Sequence, residues 1–147
     1  MKASEARSEF SGYGIIRMNL WIGTVAWRDI IMRRYAYLKE PMKTNKKEYV
    51  YKIMLYQTKK EGVCLFMYCS REAVQCSFDG WYETVEEVYE DWSDMIDEKG
   101  WIDMEDPLPH CQHDAFLPIR VKGREVGKPQ WGKLEILENG VWKEYIP

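Results

Sequence analysis

With 147 residues, of which 46% are hydrophobic and 14% aromatic, the chain has enough apolar material for one core and lacks the composition of a disordered protein. The net charge is −3 at pH 7 and is unevenly distributed: residues 1–41 carry seven Lys or Arg and four Asp or Glu, whereas residues 42–147 carry fourteen and twenty. Because an acidic body binds phosphate backbones poorly, no nucleic-acid partner is predicted.

The opening residues are polar and charged, and they do not resemble a secretory signal peptide. The most apolar stretch, residues 15–38, contains five charged side chains, which is too many for a transmembrane span. We therefore predict a cytoplasmic protein whose four cysteines are reduced and which has no membrane partner.

Residues 22–38 fit a helix that leaves Arg28, Arg33 and Arg34 exposed and ends at Pro41. The spacing of the apolar residues in this stretch is not cleanly periodic, so the helix rests mainly on composition and on the proline.

Met42 opens a segment that looks like the natural start of a protein. We therefore predict an N-terminal extension over residues 1–41, partly helical or disordered, and a single domain over residues 42–147. An ordinary helix that covers the sheet of that domain is the alternative for the extension.

The middle of the chain alternates as antiparallel strands do. Residues 49–56 predict a strand, residues 58–62 a hairpin loop, and residues 63–69 a partner strand that is apolar on both faces and therefore central. Residues 73–78 predict a third strand that stops before the Asp-Gly pair that follows.

A helix is predicted to begin after Thr84, which forms a capping box with Glu87, and to end near Asp97 or Glu98. Its apolar residues recur at a spacing of three or four and form one stripe: Val85, Val88, Tyr89, Trp92, Met95 and Ile96.

Beyond this helix, residues 101–104 predict a short strand, residues 106–114 a loop and residues 115–121 an extended segment. The Asn139-Gly140 pair predicts a closing hairpin. The fold class is therefore α+β: a mainly antiparallel sheet with one amphipathic acidic helix on one face, plus an N-terminal helical extension.

Eleven carboxylates and one cation, Lys99, lie between Glu83 and Asp106. Like charges four residues apart destabilise a helix slightly, and such local inefficiencies often mark functional surfaces. The hypothesis is a docking face for a basic protein, and the alternative is a solvated face that only promotes solubility. The predicted binding residues are Glu83, Glu86, Glu90, Asp94 and Asp97.

Both histidines fall close together, and the stretch that holds them is a weak candidate for a metal or thiol site: His110, Cys111, His113 and Asp114. Zinc sites usually show paired ligands at short fixed spacings, which this chain lacks, so no metal or cofactor is predicted. The alternative is a buried loop in which His113 and Asp114 hold backbone groups. A catalytic Cys111 would need a lowered thiol pKa, and nearby carboxylates would raise it.

Trp131 lies between Gln130 and Gly132 in a segment that resembles a turn. An exposed tryptophan there would be a favourable anchor for a protein contact, and a second small core beneath the loop is the alternative. Trp131 is therefore included among the candidate binding residues.

From Met42 onward the chain resembles a group of small, largely uncharacterised bacterial proteins. The resemblance is carried by Asp-Pro-Leu-Pro at residues 106–109, Cys-Gln-His-Asp at 111–114, and Pro-Gln-Trp-Gly at 129–132. In size and acidity the chain is similar to the immunity proteins of bacterial polymorphic-toxin and contact-inhibition systems. That resemblance implies an acidic inhibitor that covers the active site of a basic toxin, and it carries over no catalytic residue.

The leading hypothesis is a non-enzymatic acidic protein-binding domain, an immunity-type inhibitor of a basic partner such as a nuclease toxin. The alternative is a small metal-dependent or thiol enzyme centred on the loop from His110 to Asp114. A purely structural or regulatory module is a third reading.

Overall fold

The computed structural model describes residues 30–60 and 62–147. In chain order, their strands and α-helix are β1 (Ile30–Lys43), β2 (Tyr49–Thr58), β3 (Gly62–Tyr68), β4 (Phe78–Tyr82), α1 (Val85–Trp92), β5 (Ile102–Asp103), β6 (Ile119–Val121), β7 (Leu134–Glu138) and β8 (Val141–Tyr145). The predicted α+β class, mainly antiparallel with one clear helix, is confirmed. No helix in this described part of the chain has the length and apolar character that crossing a membrane would require.

The strands form two antiparallel sheets. The larger sheet has the order β4-β3-β2-β1-β5, and the smaller sheet has the order β6-β7-β8. Strands β1 to β3 are consecutive neighbours, whereas the short β5 returns to pair with β1 through Arg34 and Tyr35. The interior strands of the larger sheet therefore need cover on both faces.

Side chains of β3 alternate between the two faces of the larger sheet, and each face has its own hydrophobic core. Its first set of side chains packs with α1 on what we call the first face; the set consists of Val63, Leu65 and Met67. Its second set points to the second face, where residues from the loops after β3 and β5 cover it; the set consists of Cys64, Phe66 and Tyr68. The prediction that this strand is central and apolar on both faces is confirmed.

Helix α1 begins as predicted, because Thr84 Oγ1 accepts a hydrogen bond of 3.2 Å from the backbone N–H of Glu87. The Glu87 carboxylate in turn accepts a hydrogen bond of 3.2 Å from the backbone N–H of Glu83. The helix ends at Trp92 rather than near Asp97, since a 3₁₀ turn over Ser93–Met95 follows it. The apolar stripe continues through this turn to the buried Ile96.

The helix predicted for residues 22–38 is wrong over its described part, because residues 30–38 belong to strand β1. Its residues 22–29 lie outside the described residues. Arg33 was expected to be exposed but is buried. A domain start at Met42 would cut through β1, which pairs with β2 along most of its length. Side chains of β1 are buried on both faces, and this hid the alternation that usually marks a strand.

Pro41 does not end a helix; it lies within β1. The register of β1 against β2 shifts between Tyr37 and Met42, and Pro41 falls inside that shift. A bulged segment tolerates a residue that has no backbone N–H to donate, so the strand continues through the proline.

The third strand was predicted to start five residues too early. Residues 73–77 form bends and irregular backbone, and β4 runs over Phe78–Tyr82. The Asp-Gly pair that was expected to stop the strand is paired within it, Asp79 opposite Phe66 and Gly80 opposite Leu65. Tertiary pairing has overridden a local turn signal here.

The smaller sheet contains the predicted hairpin, in which Asn139 and Gly140 take positive φ of 51° and 78° between β7 and β8. Its core includes Ala115 and Val74. These residues adjoin Phe116 and Ala73, which pack into the core of the second face. The smaller sheet is therefore attached on the second face, across the larger sheet from α1.

Candidate functional site

Four exposed carboxylates lie on α1 or directly beside it, and we call these the acidic face: Glu86 and Glu90 on the helix, Glu83 before its N-cap, and Asp94 in the 3₁₀ turn that follows it. Asp97 was predicted to join them, but it is half-buried and its Oδ1 accepts a hydrogen bond of 3.1 Å from the backbone N–H of Lys99. Within the described residues, no Lys or Arg forms an ion pair with the acidic face. Its negative field is therefore not neutralised by these neighbours.

The inner side of α1 fixes the acidic face in place. Trp92 is fully buried, and its indole N–H donates a hydrogen bond of 3.0 Å to the hydroxyl of Tyr82. That hydroxyl donates a hydrogen bond of 2.8 Å to the buried Asp91 carboxylate, and burial raises the pKa of Tyr82. The helix is therefore anchored by a buried polar chain as well as by apolar packing.

Trp131 is 65% exposed, as the contact hypothesis requires, but the structure does not place it beside the acidic helix. It lies in the connection between β6 and β7 of the smaller sheet, which is attached on the second face. Trp131 and the acidic face therefore belong to two different surfaces.

The candidate side chains between His110 and Asp114 do not share one environment. His110 is exposed and has a positive φ of 69°, whereas Cys111, His113 and Asp114 are buried. No group of three or more His, Cys, Asp or Glu side chains in the described ranges is arranged to hold a metal ion. Closeness in sequence has not produced a shared coordination centre.

Asp114 holds two loops together. Its Oδ2 accepts a hydrogen bond of 2.8 Å from the backbone N–H of Cys76, and its backbone carbonyl accepts one from the hydroxyl of Tyr68. Burial raises the pKa of the Asp114 carboxyl, and the hydrogen bonds that it accepts, together with the charge of Arg33, act in the opposite direction. Oδ1 is buried without a partner among the described residues.

His113 is held in the same core. Its Nδ1 shares a hydrogen bond with the hydroxyl of Tyr56 on β2, and the two rings lie 5.1 Å apart between centroids. Burial, aided by the positive charges of Arg33 and Arg124, lowers the pKa of His113 to about 4. The imidazole is therefore neutral at physiological pH and serves as a structural hydrogen-bonding group.

Arg33 is the residue that organises this loop, and the sequence analysis missed it. Its Nη2 donates to the carbonyls of His113 and Ala115 at 3.0 and 2.8 Å, and its Nη1 donates to the carbonyl of Glu105 at 2.8 Å. Only 7% of Arg33 is exposed, and burial lowers its pKa. The guanidinium of Arg33 on β1 thus holds a loop that is distant in the sequence, and no residue close to Arg33 in the sequence indicated this contact.

Lys52 on β2 plays a parallel part in the adjacent loop. Its Nζ donates to the carbonyls of Arg71 and Ala73 at 2.9 and 2.8 Å and lies 3.6 Å from the ring centroid of Phe116. Burial lowers the pKa of Lys52 to about 8. A charged residue within the otherwise largely apolar strand β2 was the signal that could have identified Lys52.

Cys111 borders a cleft of ≈ 350 Å³ together with Arg33, Gln112 and Phe116, but only 1% of Cys111 is exposed. It forms an isolated bridge to Arg120, and burial raises its thiol pKa to about 11 despite the nearby arginine charges. The environment therefore favours the thiol over the thiolate that a nucleophile requires.

We expect Cys111 to react with an alkylating reagent at pH 8 much more slowly than the half-buried Cys69, because Cys111 is only 1% exposed, while burial raises the pKa of both thiols. Mass spectrometry of timed alkylation, with mapping of each thiol, measures this order. A denatured sample, in which all four thiols should react alike, is the control. A Cys111 that reacts first in the native protein would restore the thiol-enzyme hypothesis.

Comparison of the chain with protein-family models, with curated proteins and with solved structures finds no match. The resemblance to immunity proteins therefore stays a prediction.

Proposed function

We propose that this chain is a non-enzymatic acidic protein-binding domain that acts as an immunity-type inhibitor of a basic partner, such as a nuclease toxin, in the bacterial cytoplasm. The observation that carries the proposal is the acidic face, four exposed carboxylates without ion pairs to the described cations, on and directly beside a helix anchored through Trp92. The four cysteines form no disulfide among the described residues, in keeping with a reducing compartment.

The mechanism follows from the fixed position of these charges. An uncompensated negative patch attracts a positively charged groove over distances near the Debye length, about 8 Å at physiological ionic strength, and accelerates association. Once docked, a rigid helix would exclude the natural polyanionic substrate from that groove by occupying it. Inhibition of this kind requires no catalytic residue, no metal and no cofactor from the inhibitor.

The first test reverses part of the acidic face. A Glu83→Lys/Glu86→Lys/Glu90→Lys variant is expected to lose capture of the basic partner from a bacterial lysate at low salt, since three attractive charges become repulsive. Wild type and variant are immobilised in parallel, and retained proteins are identified by mass spectrometry. The association rate of the identified partner is then measured against ionic strength, and the variant should show a slower rate with a weaker salt dependence.

A matched control changes charge elsewhere. Glu72, Glu138 and Glu144 are exposed outside the acidic face, and the triple reversal Glu72→Lys/Glu138→Lys/Glu144→Lys, which changes the net charge as much as the helix variant does, should leave capture nearly unchanged. Circular dichroism of both variants checks that they are folded. Equal loss of the partner in both variants would mean that only net charge matters, and unchanged capture by the helix variant would reject the acidic face as the docking site.

A further inference from the structure

The connection between β6 and β7 is mainly basic, whereas the surface around α1 is acidic. Residues 122–133, which we call the Trp131 loop, contain four basic residues and only one acid, Glu125, whose carboxylate lies 3.5 Å from Arg120. Two large apolar side chains stand out from it, with Val126 68% and Trp131 65% exposed. An apolar centre with a charged rim is the usual anatomy of a protein contact surface.

The Trp131 loop is an ordered structure. The backbone N–H of Lys122 donates to Lys133 O at 2.9 Å, that of Gln130 to Lys122 O at 2.8 Å, and that of Lys128 to Gly123 O at 2.9 Å. Gly123 has a φ of +82°, and a Cβ at that position would approach Lys128 O to 2.3 Å. The exposed tryptophan is thus presented from a tightly closed loop, which lowers the entropic cost of binding through it.

The three lysine charges of the loop are not neutralised by ion pairs with the described residues. Lys122, Lys128 and Lys133 are exposed, and none of them forms an ion pair with another described residue. The loop belongs to the smaller sheet on the second face, whereas the acidic face belongs to the helix on the first face. The two complementary surfaces therefore cannot meet within one molecule.

We propose that the Trp131 loop docks against the acidic face of a second copy of this chain. Lysine ammonium groups of the loop pair with Glu83, Glu86 and Glu90 of the neighbour, and Trp131 provides the apolar contact at the centre. Because the two surfaces lie on different sides of the larger sheet, the contact joins copies head to tail. Self-association would then compete with a basic partner for the acidic face, and this regulatory consequence rests on the proposed function.

Such a contact depends on exposed charges, so it should be weak and sensitive to salt. Sedimentation velocity of the full chain is expected to show an average mass that rises with concentration in roughly 0.01 M NaCl and returns to the monomer in roughly 1 M NaCl, where the Debye length falls from about 30 Å to about 3 Å. Trp131→Ala should weaken the low-salt association by at least about tenfold in dissociation constant.

Charge exchange tests which surfaces meet. The loop variant Lys122→Glu/Lys128→Glu/Lys133→Glu and the helix variant Glu83→Lys/Glu86→Lys/Glu90→Lys should each be monomeric alone at low salt, since each brings like charges together. An equimolar mixture should associate again, because the intact basic loop of the helix variant can dock on the intact acidic face of the loop variant, and the reversed loop and reversed helix are complementary as well. This recovery also shows that both variants are folded.

A wild-type chain that stays monomeric at low salt overturns the proposal, and so does a mixture that fails to recover association lost by both variants. The loop variant separates this result from the proposed function, since it should still capture the basic partner through its intact acidic face. A loop variant that loses self-association but keeps the partner supports both proposals. A wild type that associates but captures no basic protein leaves self-association standing and rejects the inhibitor function.

Discussion

An Arg33→Met variant is expected to have a free energy of unfolding about 3 kcal/mol below that of the wild type at pH 7. Methionine fills similar space but donates no hydrogen bond. The carbonyls of His113 and Ala115 would remain buried after the substitution and would lose the donor that now satisfies them. A buried acceptor left without a partner costs about 1–3 kcal/mol.

The cost is smaller than three full hydrogen bonds because Arg33 is itself expensive to bury. Its pKa is lowered mainly by burial, and its Nε is buried with no partner among the described residues. Removing the guanidinium relieves that desolvation and offsets part of the loss. The balance is still unfavourable, since the substitution leaves the acceptors of the loop in place.

The neighbouring residue provides a control on the same strand. Arg34 pairs with Asp103 at 2.6 Å, but the Asp103 side chain is 81% exposed, so Arg34→Met should cost less than about 1 kcal/mol. Urea unfolding followed by tryptophan fluorescence gives both free energies of unfolding. The Arg33 variant should also expose Cys111 to alkylation, because its loop is no longer fastened. Equal destabilisation by the two substitutions would contradict the role assigned to Arg33.

The features that were predicted correctly have signals that are local in the sequence. The start of α1 and the Asn139-Gly140 hairpin were predicted correctly because their signals lie within a few residues of the feature itself. The end of α1 was placed too late, since the apolar stripe that continues to Ile96 is carried by a 3₁₀ turn rather than by the helix. Local sequence signals thus predicted the presence of these elements and the start of α1 correctly, but not the residue at which α1 ends.

The errors in β1 and around Arg33 have a long-range cause. Arg33 is bonded to carbonyls that lie 72 to 82 residues away in the chain, so no local window could show that its charge is satisfied. Tyr56 and Tyr68 reach His113 and Asp114 over similarly long separations. The stretch from His110 to Asp114 was predicted to be either a weak metal or thiol site or a buried structural loop, and its distant partners could not be identified from the sequence.

Acidification is expected to destabilise the protein through His113, by up to about 3 kcal/mol in the free energy of unfolding between pH 6.5 and pH 4. The pKa of this imidazole is about 4 in the folded protein and near 6.5 in an unfolded chain. Between pH 4 and pH 6.5, His113 is protonated in the unfolded state but mostly neutral in the folded state. The free energy of unfolding therefore rises with pH across this window. The contribution of His113 is fully present above pH 6.5 and is lost as the pH falls toward 4.

The contribution of Asp114 to stability changes with pH in the opposite direction, so the experiment must distinguish it from that of His113. Burial raises the pKa of its carboxyl above the usual 3.8, so its contribution is greatest at low pH and is lost as pH rises through the folded pKa. A His113→Gln variant isolates the imidazole, because Asp114 remains in both proteins and glutamine can still bond Tyr56 but cannot be protonated. The difference in stability between wild type and variant should shrink steadily from pH 6.5 to pH 4.

The second histidine supplies the control. His110 is exposed at a positive φ of 69°, a conformation that asparagine tolerates, so His110→Asn should reproduce the wild-type pH profile. Urea unfolding at pH 4, 5, 6 and 7 gives the free energy of unfolding for all three proteins. A His113→Gln profile parallel to the wild type would mean that the imidazole is accessible to protons in the folded state. The loop would then be open rather than held by the hydrogen bond to Tyr56, and the structural role of His113 would be wrong.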